Sequence, residues 1–91
     1  MFSLVHTSHF DRRLEKFGRA HPELRRRVAE VLRALEDDPF QPKLRLHPLR
    51  GEFEGLHAVS VSFAYRIVCM LKVADKEIVL LDIGSHDEVY H

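Results

Sequence analysis

Residues 65–83 read YRIVCMLKVADKEIVLLDI. Tyr65 to Val73 is almost continuously apolar, and so is the run from Glu77 to Ile83. Each has the character of a central strand buried on both faces. Ala74-Asp75-Lys76 is a tight connection between them, and Gly84 is expected to break the second run. Upstream, Val59, Val61 and Phe63 alternate with Ser60 and Ser62, the pattern of a strand with one polar face. Gly51 and Gly55 flank a turn before it. Leu44, Leu46 and Leu49 suggest one more strand, with Pro48 near its end.

The N-terminal half has a different period. Phe10, Leu14 and Phe17 fall on one face of a helix that Thr7 or Ser8 can cap, with Asp11 in its first turn and Gly18 at its C-terminal end. A second helix opens near His21-Pro22-Glu23, where proline suits the first helical position and glutamate the positive end of the dipole. Leu24, Val28, Val31 and Leu35 form its stripe, and Asp37-Asp38-Pro39 ends it. The short turn between the helices makes them an antiparallel hairpin. Phe2 to Val5 reads as a short edge strand. The expected fold is therefore α+β in the order β-α-α-β-β-β-β, a helical hairpin packed on a twisted, mainly antiparallel sheet.

At 91 residues the chain is expected to be one domain, 1–91. No apolar run is long enough to cross a membrane. MFSLVHTSHF lacks the basic region and apolar stretch of a secretory signal. Cys69 is the single cysteine, so no internal disulfide forms, which suits a reducing cytoplasm. His6 and His9 have no Cys or clustered carboxylate partners at ligand spacing, so no metal site is expected. The charges balance at 14 basic and 14 acidic, but unevenly. Residues 1–50 hold eleven Lys/Arg against seven Asp/Glu, and residues 51–91 hold three against seven. Arg25-Arg26-Arg27, Lys43, Arg45 and Arg50 concentrate the positive charge. A local basic face can meet nucleic acid, whereas overall neutrality argues against avid non-specific binding.

Three segments belong together: EDDPFQPKLRLHPLRG (36–51), EGLHAVSVSFAYRIVCML (54–71) and LLDIGSHDEVY (80–90). In this order they resemble the RelE/ParE superfamily of bacterial and archaeal toxins from type II toxin–antitoxin pairs, over nearly the whole chain. The ending is most similar to the YafQ-type branch, in which G-T-H is followed four residues later by an aromatic. Gly84-Ser85-His86 and Tyr90 stand in those places. The resemblance implies a ribosome-dependent endoribonuclease that cuts mRNA in the ribosomal A site. It also implies a small antitoxin protein as partner, a cytoplasmic location, and no metal or cofactor.

RNA carries its own nucleophile, the 2′-hydroxyl. Cutting it calls for a base, a cation for the charge growing on the phosphate, and an acid for the leaving 5′-oxygen. Histidine suits both proton roles and arginine the phosphate. By the resemblance, His47 is the general base, Arg66 the phosphate ligand, His86 the general acid, and Tyr90 a group that stacks on a base or orients the phosphate. The two histidines can exchange roles. Lys43, Arg45 and Arg50 flank His47 and would grip phosphates.

Each residue has a plainer reading too. His47 is then a half-buried strand-end histidine, Arg66 a partner of Asp82, His86 a tail residue, and Tyr90 a packing residue. The chain departs from the YafQ pattern at Ser60 and Ala64, where that branch carries a histidine and an aspartate. His57 is near but out of register. Two rival functions stay open: a ParE-like inhibitor of DNA gyrase, and a catalytically inactive relative that only binds its antitoxin.

Overall fold

A computed structural model of the chain describes residues 1–90, and His91 of the expected domain lies outside the described residues. Its strands are β1 (Ser3–His6), β2 (His47–Pro48), β3 (His57–Ser60), β4 (Tyr65–Lys72) and β5 (Glu77–Ser85). Its helices are α1 (Ser8–Ala20), α2 (Arg25–Asp37) and the short α3 (His86–Val89). The strands form one sheet in the order β1-β5-β4-β3-β2. β1 runs parallel to β5, and the other three pairings are antiparallel. This is the α+β architecture expected from the sequence, with the two apolar runs as neighbouring inner strands β4 and β5.

Alternation along the paired strands separates two faces. Val59, Ile67, Cys69, Ile78, Leu80 and Ile83 join Phe10, Phe17, Val28, Val31 and Leu35 in the buried core under the helices. His47 faces Ala58, Ala58 faces Val68, and Ser60 faces Arg66 across the strands. These residues therefore share the opposite face. Thr7 starts α1: its hydroxyl accepts from Phe10 N at 3.1 Å and donates to Leu80 O at 2.8 Å. One side chain thus caps the helix and pins it to β5.

Five local expectations need correction. The strand inferred from Leu44, Leu46 and Leu49 shrinks to His47–Pro48. Pro42–Leu44 is instead a turn of 3₁₀ helix, closed by Arg45 in the left-handed region at φ 52°. Two prolines without N–H groups and one left-handed residue cannot extend a ladder. The strand through Val61 and Phe63 stops at Ser60, because Val61 N and Ser62 N both donate to Tyr65 O in a tight turn. The second helix begins with a 3₁₀ turn, Pro22–Leu24, and becomes α-helical only at Arg25. α1 runs past Gly18 to Ala20.

Gly84, finally, does not break β5, which continues to Ser85. A Cβ there would lie 2.9 Å from both Arg13 Nη2 and Glu88 Oε1. Close approach, not strand termination, is what calls for glycine.

Candidate active site

β1 pairs with β5 only as far as Leu80, so among the described residues no strand lies beside the rest of that edge. Arg13 of α1 fills the place. Its Nε donates to Asp82 Oδ1 at 2.9 Å and its Nη2 to Ile83 O at 3.3 Å. The end of β5 is thereby tied to the helical layer just before α3 begins.

α3 opens with a capping box. Glu88 N donates to Ser85 Oγ at 3.3 Å, and Ser85 N donates to Glu88 Oε1 at 2.8 Å. Each side chain satisfies a backbone donor that the helix start would otherwise leave free. The bond from Ser85, together with nearby Arg13 and Lys16, holds the Glu88 carboxyl below its ordinary value despite slight burial. This frame sets His86 as the first residue of α3 and Tyr90 one turn later. Their rings meet edge-on at 4.5 Å, and Tyr90 meets Phe53 in the same manner at 5.5 Å. Tyr90 therefore packs, as its plainer reading has it. Its Oη is nonetheless buried with no hydrogen-bond partner among the described residues.

His47 stands on the far side of the sheet order, on the two-residue β2. Its Nδ1 lies 2.9 Å from Arg45 O. A carbonyl only accepts, so Nδ1 carries the proton and donates. In the neutral ring this leaves Nε2 with a free lone pair, the form a general base needs. The left-handed backbone of Arg45, which closes the preceding turn, brings that carbonyl to the ring.

Arg66 lies between the two histidines, on β4, in register with Ser60 and Gly84. The ion pair considered with Asp82 does not form. Asp82 stands opposite Val68, two residues along, and Arg13 takes its carboxylate. Arg66 Nε is buried and has no partner among the described residues. Leaving such a donor unsatisfied costs about 1–3 kcal/mol, more for a charged group, which favours an incoming acceptor.

His47, Arg50, Phe53, Arg66, His86 and Tyr90, with Pro48 and Leu49, line one cleft of about 330 Å³. All four expected catalytic residues thus come together, with one of the three expected phosphate ligands. Lys43 and Arg45 do not join them. They line a neighbouring groove of about 420 Å³ with Arg27, Ser60 and Phe63, and Arg66 borders both cavities.

Sequence reasoning missed Phe53, whose only signal was the turn between Gly51 and Gly55. It also missed Arg13, and it met Arg27 only as one of the run Arg25-Arg26-Arg27. His57 does not stand in for the residues that Ser60 and Ala64 replace. It is paired with Cys69 and alternates onto the helix-covered face, where its Nδ1 is buried without a partner among the described residues. Burial pushes the Cys69 thiol up to about 12, so it carries no reactive thiolate near neutrality. His6 lies 2.8 Å from Asp11 and His9 lies 3.6 Å from Asp82. Among the described residues no group of three His, Cys, Asp or Glu could hold a metal ion.

Two imidazoles flanking a guanidinium are groups that can supply an acid, a base and a place for an anion. No protein-family model and no curated protein sequence matches the chain. Solved structures do match. YafQ from E. coli strain BL21(DE3) superposes with a TM-score of 0.83 at 14% identity, covering 100% of both chains. The YoeB/ParE toxin from Agrobacterium tumefaciens gives 0.77 at 18% identity, covering 93% of this chain and 99% of that one. The E. coli DinJ–YafQ complex gives 0.72 at 15% identity, over 100% of both chains. The chain therefore has the RelE/ParE toxin fold, in a form similar to that of YafQ.

Proposed function

We propose that the chain, as one domain over 1–91, is the toxin of a type II toxin–antitoxin pair. In this reading it is a ribosome-dependent endoribonuclease that cuts mRNA in the A site. The observation that carries the proposal is the convergence of His47, Arg66, His86 and Tyr90 on one cleft. His47 takes the 2′-hydroxyl proton through Nε2. The freed oxygen attacks the adjacent phosphorus, and the bond to the 5′-oxygen breaks. Arg66 and Arg50 balance the charge growing on the phosphate. His86 gives its proton to the leaving 5′-oxygen. The products are a 2′,3′-cyclic phosphate and a 5′-hydroxyl. Tyr90 stacks on an unstacked base or orients the phosphate. A small antitoxin partner is supported by the DinJ–YafQ complex, which has the same fold. The place of action is the cytoplasm, where ribosomes are.

Cleavage mapping on programmed ribosomes tests this reading. Wild type should cut in the A site, His86→Ala should not, and free RNA should stay intact. Inhibition of gyrase supercoiling without RNA cleavage would replace the proposal with the ParE-like one. The alanine at position 64 favours a third outcome, a chain that binds antitoxin and cuts nothing.

A further inference from the structure

The groove beside the cleft has features that the cleavage chemistry does not use. Its cations are Arg27, Lys43, Arg45 and Arg66, and among the described residues no carboxylate lines it. None of the four makes a salt bridge among the described residues. Arg27 is aimed by a hydrogen bond from Nη1 to Val61 O at 3.1 Å, which leaves most of its guanidinium donors free. Phe63 projects from the turn between β3 and β4 with a relative exposure of 103%. The turn's hydrogen bonds to Tyr65 O fix the backbone beneath it. Nothing in the core explains a phenylalanine at that tip. An aromatic ring left wholly in water forgoes the gain that covering it would bring, and here it stands beside four cations.

We propose that this groove is a second nucleotide subsite, in which a single RNA strand leaving the cleft at Arg66 sets its next phosphate on Arg27, Lys43 and Arg45 and stacks a base on Phe63. A basic track with an exposed aromatic beside it is the recurrent design for single-stranded nucleic acid. The groove's volume, about 420 Å³, is of the size that holds one small ligand. Arg66, shared by the two cavities, spans the join. Glu30, with Arg27 and Lys43, lines the next cavity along and marks where the track loses its purely positive character. A protein partner is the less fitting occupant, because only Val61 and Phe63 on the lining are apolar. The inference rests on the ribonuclease reading for what occupies the cleft and extends it by giving the strand a path.

The test uses 2′-O-methyl oligonucleotides, which lack the attacking hydroxyl and so bind without being cut. Binding is followed by amide and side-chain NMR shifts on the full chain. A tetranucleotide should shift residues 60–64 and the Arg27 side chain, and a dinucleotide should shift only the cleft residues. Phe63→Ala should weaken tetranucleotide binding by about fivefold or more. It should leave dinucleotide binding and Tm unchanged, and Phe63→Trp should restore the affinity. Equal binding of both lengths, no response at residues 60–64, or an unaltered tetranucleotide affinity in Phe63→Ala would overturn the subsite. So would a Phe63→Ala variant that binds RNA normally but loses its antitoxin, which would make this a protein-docking surface. The ribonuclease reading fails separately, by absence of His86-dependent cleavage while the tetranucleotide still engages residues 60–64.

Discussion

The two histidines of the cleft reach it by unlike means. His86 follows the nine-residue β5 and is framed by a capping box, with Arg13 binding the strand end from the helical layer. His47 rides on a two-residue strand between irregular turns, and one hydrogen bond from its ring to Arg45 O sets its orientation. One side is rigid because regular structure runs up to it. The other depends on a single left-handed residue. The proposed mechanism has each of them carry or move a proton, which requires placement to a fraction of an ångström, and the two supports that would meet that need are quite different.

The largest expected effect falls on both sides equally. His86→Ala and His47→Ala should each lower single-turnover cleavage on programmed ribosomes by about a hundredfold or more, the usual worth of a positioned proton-transfer group. Both side chains are exposed, so neither change should alter the midpoint of urea unfolding. If one variant keeps near-normal cleavage, that histidine is a bystander and the cleft has a single proton-transfer group.

The supports themselves should respond in opposite directions. Ser85→Ala removes the cap of α3 and should cost about 1 kcal/mol in urea unfolding. Cleavage should fall with it, since His86 is the next residue. Arg45→Gly should act the other way on stability. Left-handed backbone costs a non-glycine residue roughly 1–2 kcal/mol. The extra freedom of glycine in the unfolded chain takes back about 0.4–1 kcal/mol. The expected net is a gain of about 0.5 kcal/mol in the same assay. Unchanged stability in Ser85→Ala, or a loss in Arg45→Gly, would show that the two sides are held alike.

This contrast also separates what could be read from the chain from what could not. The core strands were plain because apolar runs the length of β4 and β5 have few other uses, and Phe10, Phe17, Val28, Val31 and Leu35 kept helical spacing. The support of His47 was hidden because Leu44, Leu46 and Leu49 imitate strand alternation. The left-handed turn at Arg45 has no glycine or asparagine to announce it. Phe63 was misplaced for a similar reason: it continues the alternation of Val59 and Val61 past the point where the chain turns. Arg13 could not be found at all, since 69 residues separate it from Asp82 and only the finished sheet brings them together. The grouping of His47, Arg66, His86 and Tyr90 came from resemblance to known toxins, not from their spacing. What alternation and period encode is burial. A cleft on the open face of a sheet is assembled from residues that burial does not constrain.

The smallest effect sharpens the rigid side alone. Glu88 accepts from Ser85 N and lies near Arg13 and Lys16, so its carboxyl titrates below the ordinary value of 4.5. A carboxyl depressed in the folded state contributes stability that is fully present above its unfolded value and is lost as pH falls through the folded one. Glu88→Gln keeps a side chain that can still complete the capping box but removes the titration. Wild type should therefore be the more stable protein at neutral pH. Its margin over Glu88→Gln should stay constant down to about pH 4.5 and shrink below it. A margin that stays flat down to about pH 3 would mean that the charge on Glu88 does not hold α3. The frame around His86 would then rest on the hydrogen bonds of Ser85 and Arg13 alone.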